Sequence, residues 1–423
     1  MTNRLTLTEN LSCGATRERI TPPPELLPRL YGLMMQEPGG VNDDLYLRVL
    51  VLSSRGEAAM LVSFDLDKAP YPKEWAAELA ERYGLPEKSI VYSAIHTHTA
   101  PLTDPRPFDG PNAKSKKPPE QQAAANEYED FIHDALLRAA DRAVSGMEPA
   151  LLGTGTGESY INVNRNIPRG EVFTLGHNGA GDCDRTVFVM EIARADGTPV
   201  AFLENYAVHN VVMFRNRLFD GKMGVSADMG GNVSKLLESR FPDATALWTS
   251  GAAGDVNPVM MNALYYPDPE NGQDADELLP GDPNALLRVM VGRHYADVLT
   301  ALERVVCKDD APVIRTAERW IRTPGLDGDY ELHVRGVRIG NTVVLGFSGE
   351  LYTSYLRQIQ PLSPFEHTVV INHDGSFLCN SGYILDDEAL AKKALGARQS
   401  NLRPGYLKAA LAKTVGELFT ELE

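Results

Sequence analysis

Cysteine is scarce in this chain: four in 423 residues, at Cys13, Cys183, Cys307 and Cys379, and none in a C-x-x-C spacing. That spread excludes a thiolate zinc knuckle and a disulfide framework, so the thiols are expected to be reduced and mostly packed. Long apolar runs are absent too. No stretch approaches the roughly 20 apolar residues that cross a bilayer, and residues 1–10 hold no uninterrupted apolar segment of a secretory signal. Basic charge is in deficit, with 41 Lys and Arg against 57 Asp and Glu and a net charge of -16. Phosphate backbones need clustered cations, and the one basic cluster, 114–117, stops at Pro118-Pro119 and reads as a solvated loop. These absences predict a cytoplasmic protein with no nucleic-acid partner and no stable membrane insertion. A homo-oligomer stays open.

What is present is ordinary globular material, 43% hydrophobic and 23% charged, enough to bury a sizeable core. No repeat and no clean linker divides it, so a single domain over 1–423 is expected. Residues 20–26, with three consecutive prolines, predict an extended segment that wraps the surface. Apolar runs at 45–53 and 58–64 predict a hairpin ending at Asp65-Leu66-Asp67. Further strands are expected at 89–95, 150–156, 186–192, 200–207, 244–249, within 313–347 and at 367–371. Helical spacing covers 72–83, 126–144, 232–240, 284–305, 388–395 and 406–422. Residues 102–124 read as a long loop or lid and 264–284 as an acidic insertion loop. The alternation predicts an α/β fold, a large catalytic domain of mixed sheets flanked by helices.

Histidines close several of the apolar runs. In His96-Thr97-His98 an extended backbone would turn both imidazoles to one face, because strand side chains alternate. Val208-His209 closes another run and Gly349-Glu350 a third. A lone histidine is more often a packed residue than a ligand. Here two histidine sites and a glutamate sit where strands end, which is where α/β proteins build sites. His96, His209 and Glu350 form a set that suits zinc, a borderline-soft cation needing about three protein ligands and an open position for water. Asp65 and Asp228 are expected to accept the histidine N–H groups or, equally, to cap helices and strand ends.

The same residues resemble the catalytic domain of the neutral/alkaline, non-lysosomal ceramidase family. The resemblance runs from about residue 12 to 385 in family order: Gly14 with Ile20-Thr-Pro, the strand ending in Asp65, and Ser93-Ala-Ile-His-Thr-His-Thr-Ala-Pro101. It continues through Asn162-Val-Asn-Arg165-Asn, Asn205-Tyr-Ala-Val-His209, Ser226-Ala-Asp228, Gly251-Ala-Ala-Gly-Asp255-Val-Asn-Pro258, Ser348-Gly-Glu350 and Gly382-Tyr383-Ile. It implies a ceramidase-like fold and a Zn2+ ion held by His96, His209, Glu350 and Tyr383. His98 and Arg165 would then hydrogen-bond the substrate carbonyl and its developing oxyanion.

Three departures shape the expected chemistry. Asn257 stands where the family places a site serine, so a seryl mechanism at that position is excluded, while the amide can still donate a hydrogen bond. The second site tyrosine of the family is missing near Leu395, with none before Tyr406. No C-terminal immunoglobulin-like domain is expected within 1–423. The resulting expectation is an amidohydrolase in which zinc-activated water cleaves an N-acyl, small or lipid-like substrate, with His98, Arg165, Asn257 and Asp255 as the catalytic set. Asp255 and Glu350 are the two proton-carrying candidates. Alternatives are a zinc hydrolase of an ester or other non-lipid bond, a catalytically silent ceramidase-like binding protein, and a metal-free chain whose histidines are merely packed.

Overall fold

The computed structural model describes residues 4–103, 119–267, 274–375 and 382–423. Most of the expected lid and Cys379 lie outside them. Three larger sheets carry the chain. The first orders strands Ile90–Ala94, Glu57–Phe64, Tyr46–Ser54, Ser12–Arg19 and Glu148–Pro149. The second orders Thr245–Ser250, Pro199–Tyr206, Thr186–Ala193 and Leu151–Glu158, and the third Ile314–Pro324, Asp329–Ile339, Thr342–Phe347 and His367–Ile371. Their inner faces meet in one shared core, in which Leu50, Leu61 and Val91 of the first sheet pack with Met190, Leu203 and Leu247 of the second and Val337, Val344 and Ile371 of the third. Helices cover the outer faces, as the mixed α/β reading anticipates.

The hairpin at 46–64 forms as expected, its turn made by Arg55 and Gly56 in left-handed backbone. Helix Pro72–Tyr83 keeps its predicted bounds, opened by Pro72 and closed by left-handed Gly84.

Several expectations are corrected. The segment 20–26 lies on the surface only at its middle: Pro24 and Glu25 are exposed, while Ile20, Thr21 and Leu26 are buried and the Tyr128 hydroxyl donates to the Ile20 carbonyl at 2.7 Å. Residues 264–284 are not a plain loop, since Ala263–Pro267 pairs antiparallel with Asp274–Leu278. The Leu264-Tyr265-Tyr266 run has strand propensity that the surrounding Pro, Gly and acid masks. The helix expected from 126 starts at Pro119 and runs to Ser145. Strand Ser12–Arg19 and the hairpin Asn162–Arg169/Val172–Asn178 were not expected at all.

Candidate metal centre

In each large sheet one edge is a parallel pair, and the carboxyl ends of all three pairs converge. Glu57–Phe64 lies parallel to Ile90–Ala94, Pro199–Tyr206 to Thr245–Ser250, and Thr342–Phe347 to His367–Ile371. Beyond those ends come Asp67, His96 and His98 from the first sheet, His209 and Asp255 from the second, and Glu350 and His373 from the third. Sites in open α/β sheets form at such carboxyl ends. A small parallel bridge sets Glu350 directly beside Tyr383. Arg165 arrives on Asn162–Arg169, which pairs with Val256–Pro258 and so brings Arg165 next to Asn257.

His96 and His98 do converge, with Nε2 atoms 3.0 Å apart, but not by strand alternation. The strand ends at Ala94, and His96 turns into left-handed backbone with φ 65°. That turn, uncommon for a residue with a Cβ, aims the ring inward. Its Nδ1 lies 2.9 Å from the Asp67 carbonyl oxygen, and the Nδ1 of His209 lies 3.0 Å from the Val256 carbonyl oxygen. A carbonyl only accepts, so in both rings Nδ1 carries the hydrogen and Nε2 of the neutral ring presents a lone pair. The His209 Nε2 is 3.0 Å and the His96 Nε2 3.7 Å from the Glu350 Oε2. Lone pairs therefore face a carboxylate in a dry site, which calls for a cation among them.

The electrostatics agree. Burial pushes the Glu350 carboxyl up, but His96 and His209 outweigh it and hold it well below the usual range. His209 is lowered to about 4 by burial and by the Arg165 guanidinium. His98 is driven well below its ordinary value by burial and by His96. His96 goes the other way: burial opposes its charge, yet Glu350 and Asp67 raise it. Donor atoms of His96, His98 and His209 lie within 4.8 Å of one another, as do those of His96, Glu350 and His373. His98 thus stands within the ligand cluster, with its ring edge-on to Phe214 at 5.3 Å.

The other expected residues divide. Arg165 is buried, its Nη2 donates to the Gly254 carbonyl at 2.7 Å, and its Nη1 reaches the Asn257 Oδ1 at 3.3 Å. Its guanidinium lies 5.0 Å over the Tyr383 ring. Left-handed Gly396 leaves room for that ring, because a Cβ there would fall 2.3 Å from it. Burial raises the Tyr383 phenol to about 12, against the pull of Arg165. Asp255 accepts from the Thr353 N–H and hydroxyl and from the Asn164 amide, each at 2.9 Å, so its hydrogen bonds run away from the histidines. Asp65 and Asp228 do not serve the histidine N–H groups: Asp65 pairs with Arg48, and Asp228 accepts from the Val212, Met213 and Met229 N–H groups. The residues that do serve them are Asp67 and Val256, through their carbonyls. His373, stacked on His96 at 3.9 Å, is a further member. Its signal was the one that marked the others, a histidine just past an apolar run.

Comparison with known proteins bears on the fold. No family description and no curated protein matches the sequence. Among solved structures, neutral ceramidase from Pseudomonas aeruginosa superimposes with a TM-score of 0.70 at 15% identity, covering 98% of this chain and 74% of that one. A ceramidase complexed with C2 superimposes with a TM-score of 0.70 at 14% identity, covering 98% of this chain and 75% of that one. Across nearly its whole described length, this chain has the fold of the neutral ceramidases.

Proposed function

We propose that the chain is a zinc-dependent hydrolase, active in the cytoplasm, that cleaves the amide bond of an N-acyl compound. The observation that carries the reading is the 3.0 Å approach of the His209 Nε2 lone pair to the Glu350 Oε2, with both histidine Nδ1 atoms committed to backbone carbonyls. A divalent cation fits such a donor set. His96, His209 and Glu350 would hold it, with Tyr383 beside Glu350 as the fourth ligand. Zinc bound there supplies Lewis-acid polarisation of a carbonyl and lowers the pKa of water toward neutrality.

The protein groups do the rest. Arg165, fixed by its bond to the Gly254 carbonyl, offers a desolvated positive charge where negative charge develops on the carbonyl oxygen. Neutral His98 can donate an N–H to the same oxygen, and Asn257, next to Arg165, can donate through its amide. Glu350, ionised, accepts the proton that the attacking water loses. Asp255 acts by position: its backbone carbonyl accepts the Arg165 backbone N–H at 2.9 Å and its carboxylate is held by Thr353. Phe214, packed with Val211 and Met261, meets the His98 ring edge-on and makes the wall beside it apolar.

The test is metal analysis joined to turnover of matched N-acyl and O-acyl substrates. His96→Ala and His209→Ala should each lose zinc and hydrolysis together, while His98→Ala keeps zinc and loses turnover. Stoichiometric zinc in the His209→Ala protein would refute the ligand set. Turnover of O-acyl substrates alone would make the chain an esterase on the same residues.

A further inference from the structure

A cleft of about 340 Å3 opens between the second and third sheets, and none of its lining residues belongs to the metal centre. One wall is a face of the second sheet, where Thr156, Phe188 and Asn205 are cross-strand neighbours. The other is the strand His367–Ile371, which ends the third sheet and has a ladder partner on one side only, Thr342–Phe347. Successive residues of a strand turn their N–H and C=O groups to opposite sides. The His367 N–H faces the Asn341 carbonyl, so His367, Val369 and Ile371 bond inside the sheet while Thr368 and Val370 point outward. The outward Val370 carbonyl accepts the Asn205 amide at 2.8 Å, and the next outward N–H, that of Asn372, donates to the Ser250 carbonyl at 2.9 Å. The Thr368 N–H and C=O and the Val370 N–H are left over, and among the described residues nothing meets them.

Those three groups run donor, acceptor, donor along one edge, a pattern that an incoming extended peptide matches with its own backbone. The volume sits at the low end of the roughly 300–1,000 Å3 of ligand pockets, which suits a segment of few residues and not a whole added strand. Charge narrows the side chain. Asp184 and Glu366 line the cleft, and no Lys or Arg among the described residues does. Asp184 has Arg357 at 3.6 Å, but the Glu366 side chain is 64% exposed and has only the Asn341 amide at 3.1 Å and His367 at 3.8 Å. Burial holds His367 below its ordinary value, so at pH 7 it is neutral and leaves the Glu366 charge uncompensated.

The geometry points to a binding site for a short extended peptide bearing a Lys or Arg, held by backbone pairing along Thr368 and Val370 and by the Glu366 carboxylate. The site is independent of the metal and of the hydrolase reading. It is tested on the full chain by calorimetric titration with acetyl-Val-Lys-Val-amide at neutral pH. Physiological ionic strength is used, where diffuse attraction to a chain of net charge -16 is screened beyond about 8 Å. Two peptides serve as controls, the backbone N-methylated analogue and acetyl-Val-Glu-Val-amide.

The parent should bind one lysine peptide per chain and either control roughly tenfold more weakly. Thr368→Pro removes an N–H that faces away from the sheet, a change that edge strands tolerate, and should weaken the lysine peptide by a similar factor. Glu366→Lys should reverse the preference between the lysine and glutamate peptides. No binding of the lysine peptide by the parent up to millimolar concentration, or equal affinity for its N-methylated analogue, would overturn the site. Undiminished binding by Thr368→Pro, shown to be folded by circular dichroism, would do the same. Should that variant not fold, the N-methylated comparison decides alone.

Discussion

At the scale of single residues, burial sets the charge of the centre. His209 titrates at about 4 in the folded chain against about 6.5 when free. Between those values the unfolded chain binds a proton that the folded one refuses, so this group's contribution is present above about pH 6.5 and lost as pH falls toward 4. The difference is worth roughly 3 kcal/mol. In metal-free protein, the urea midpoint of His209→Gln should fall less between pH 7 and 4 than that of the parent, and parallel curves would remove the assignment. Asp255 has the opposite sign. Burial raises it to about 6, so its contribution is present at low pH and lost as pH rises through that value. Asp255→Asn should abolish that loss in the same measurement. His96, His209 and Glu350 were legible in the sequence because each closes an apolar run. His373 carried the same signal, a histidine just past the run at 367–371, and was passed over; Asp67 was not legible, because which residue past a strand end turns inward depends on backbone angles that no periodic pattern records.

At the scale of elements, a buried ion cluster ties the first sheet to helix Asp228–Arg240. Arg48 Nη1 lies 3.0 Å from the Asp65 Oδ1 and its Nε 2.8 Å from the Glu238 Oε1, with all three side chains dry. Arg48→Met would take the buried Asp65 carboxylate's ion pair away and leave Glu238 with Arg17 alone, at 3.0 Å, and should cost about 3–5 kcal/mol, read as a drop in the urea midpoint at neutral pH. An unchanged midpoint would mean that water reaches the pair. Apolar strands and capped helices such as Pro72–Tyr83 were readable because period and end signals agree. The Asn162–Arg169 hairpin was not, since its cohesion comes from amide side chains instead of an apolar face. Asn162 donates to the Asp184 and Ala207 carbonyls, Asn164 to the Asp182 carbonyl, and Asn178 to the Asn166 carbonyl. A strand stitched by asparagines reads as a loop, and so the strand that delivers Arg165 went unseen while Arg165 itself was visible only by motif.

For the whole molecule, a cation at the centre would clasp residues from three sheets, and binding to the folded state alone stabilises it by mass action. Zinc at 100 to 1,000 times its dissociation constant should add roughly 3–4 kcal/mol. Calorimetry should show the chelator-treated protein melting lower and zinc restoring the parent curve. No change on chelation would mean that the sheets hold together without the ion. The meeting of three parallel edges also has a temporal consequence. Each sheet can form from its own neighbours, yet His96, His209 and Glu350 come one from each, so this grip exists only once all three have docked. Uptake of zinc from a fluorescent indicator during refolding should then trail the recovery of backbone ellipticity, making the ion a clock for the final assembly step.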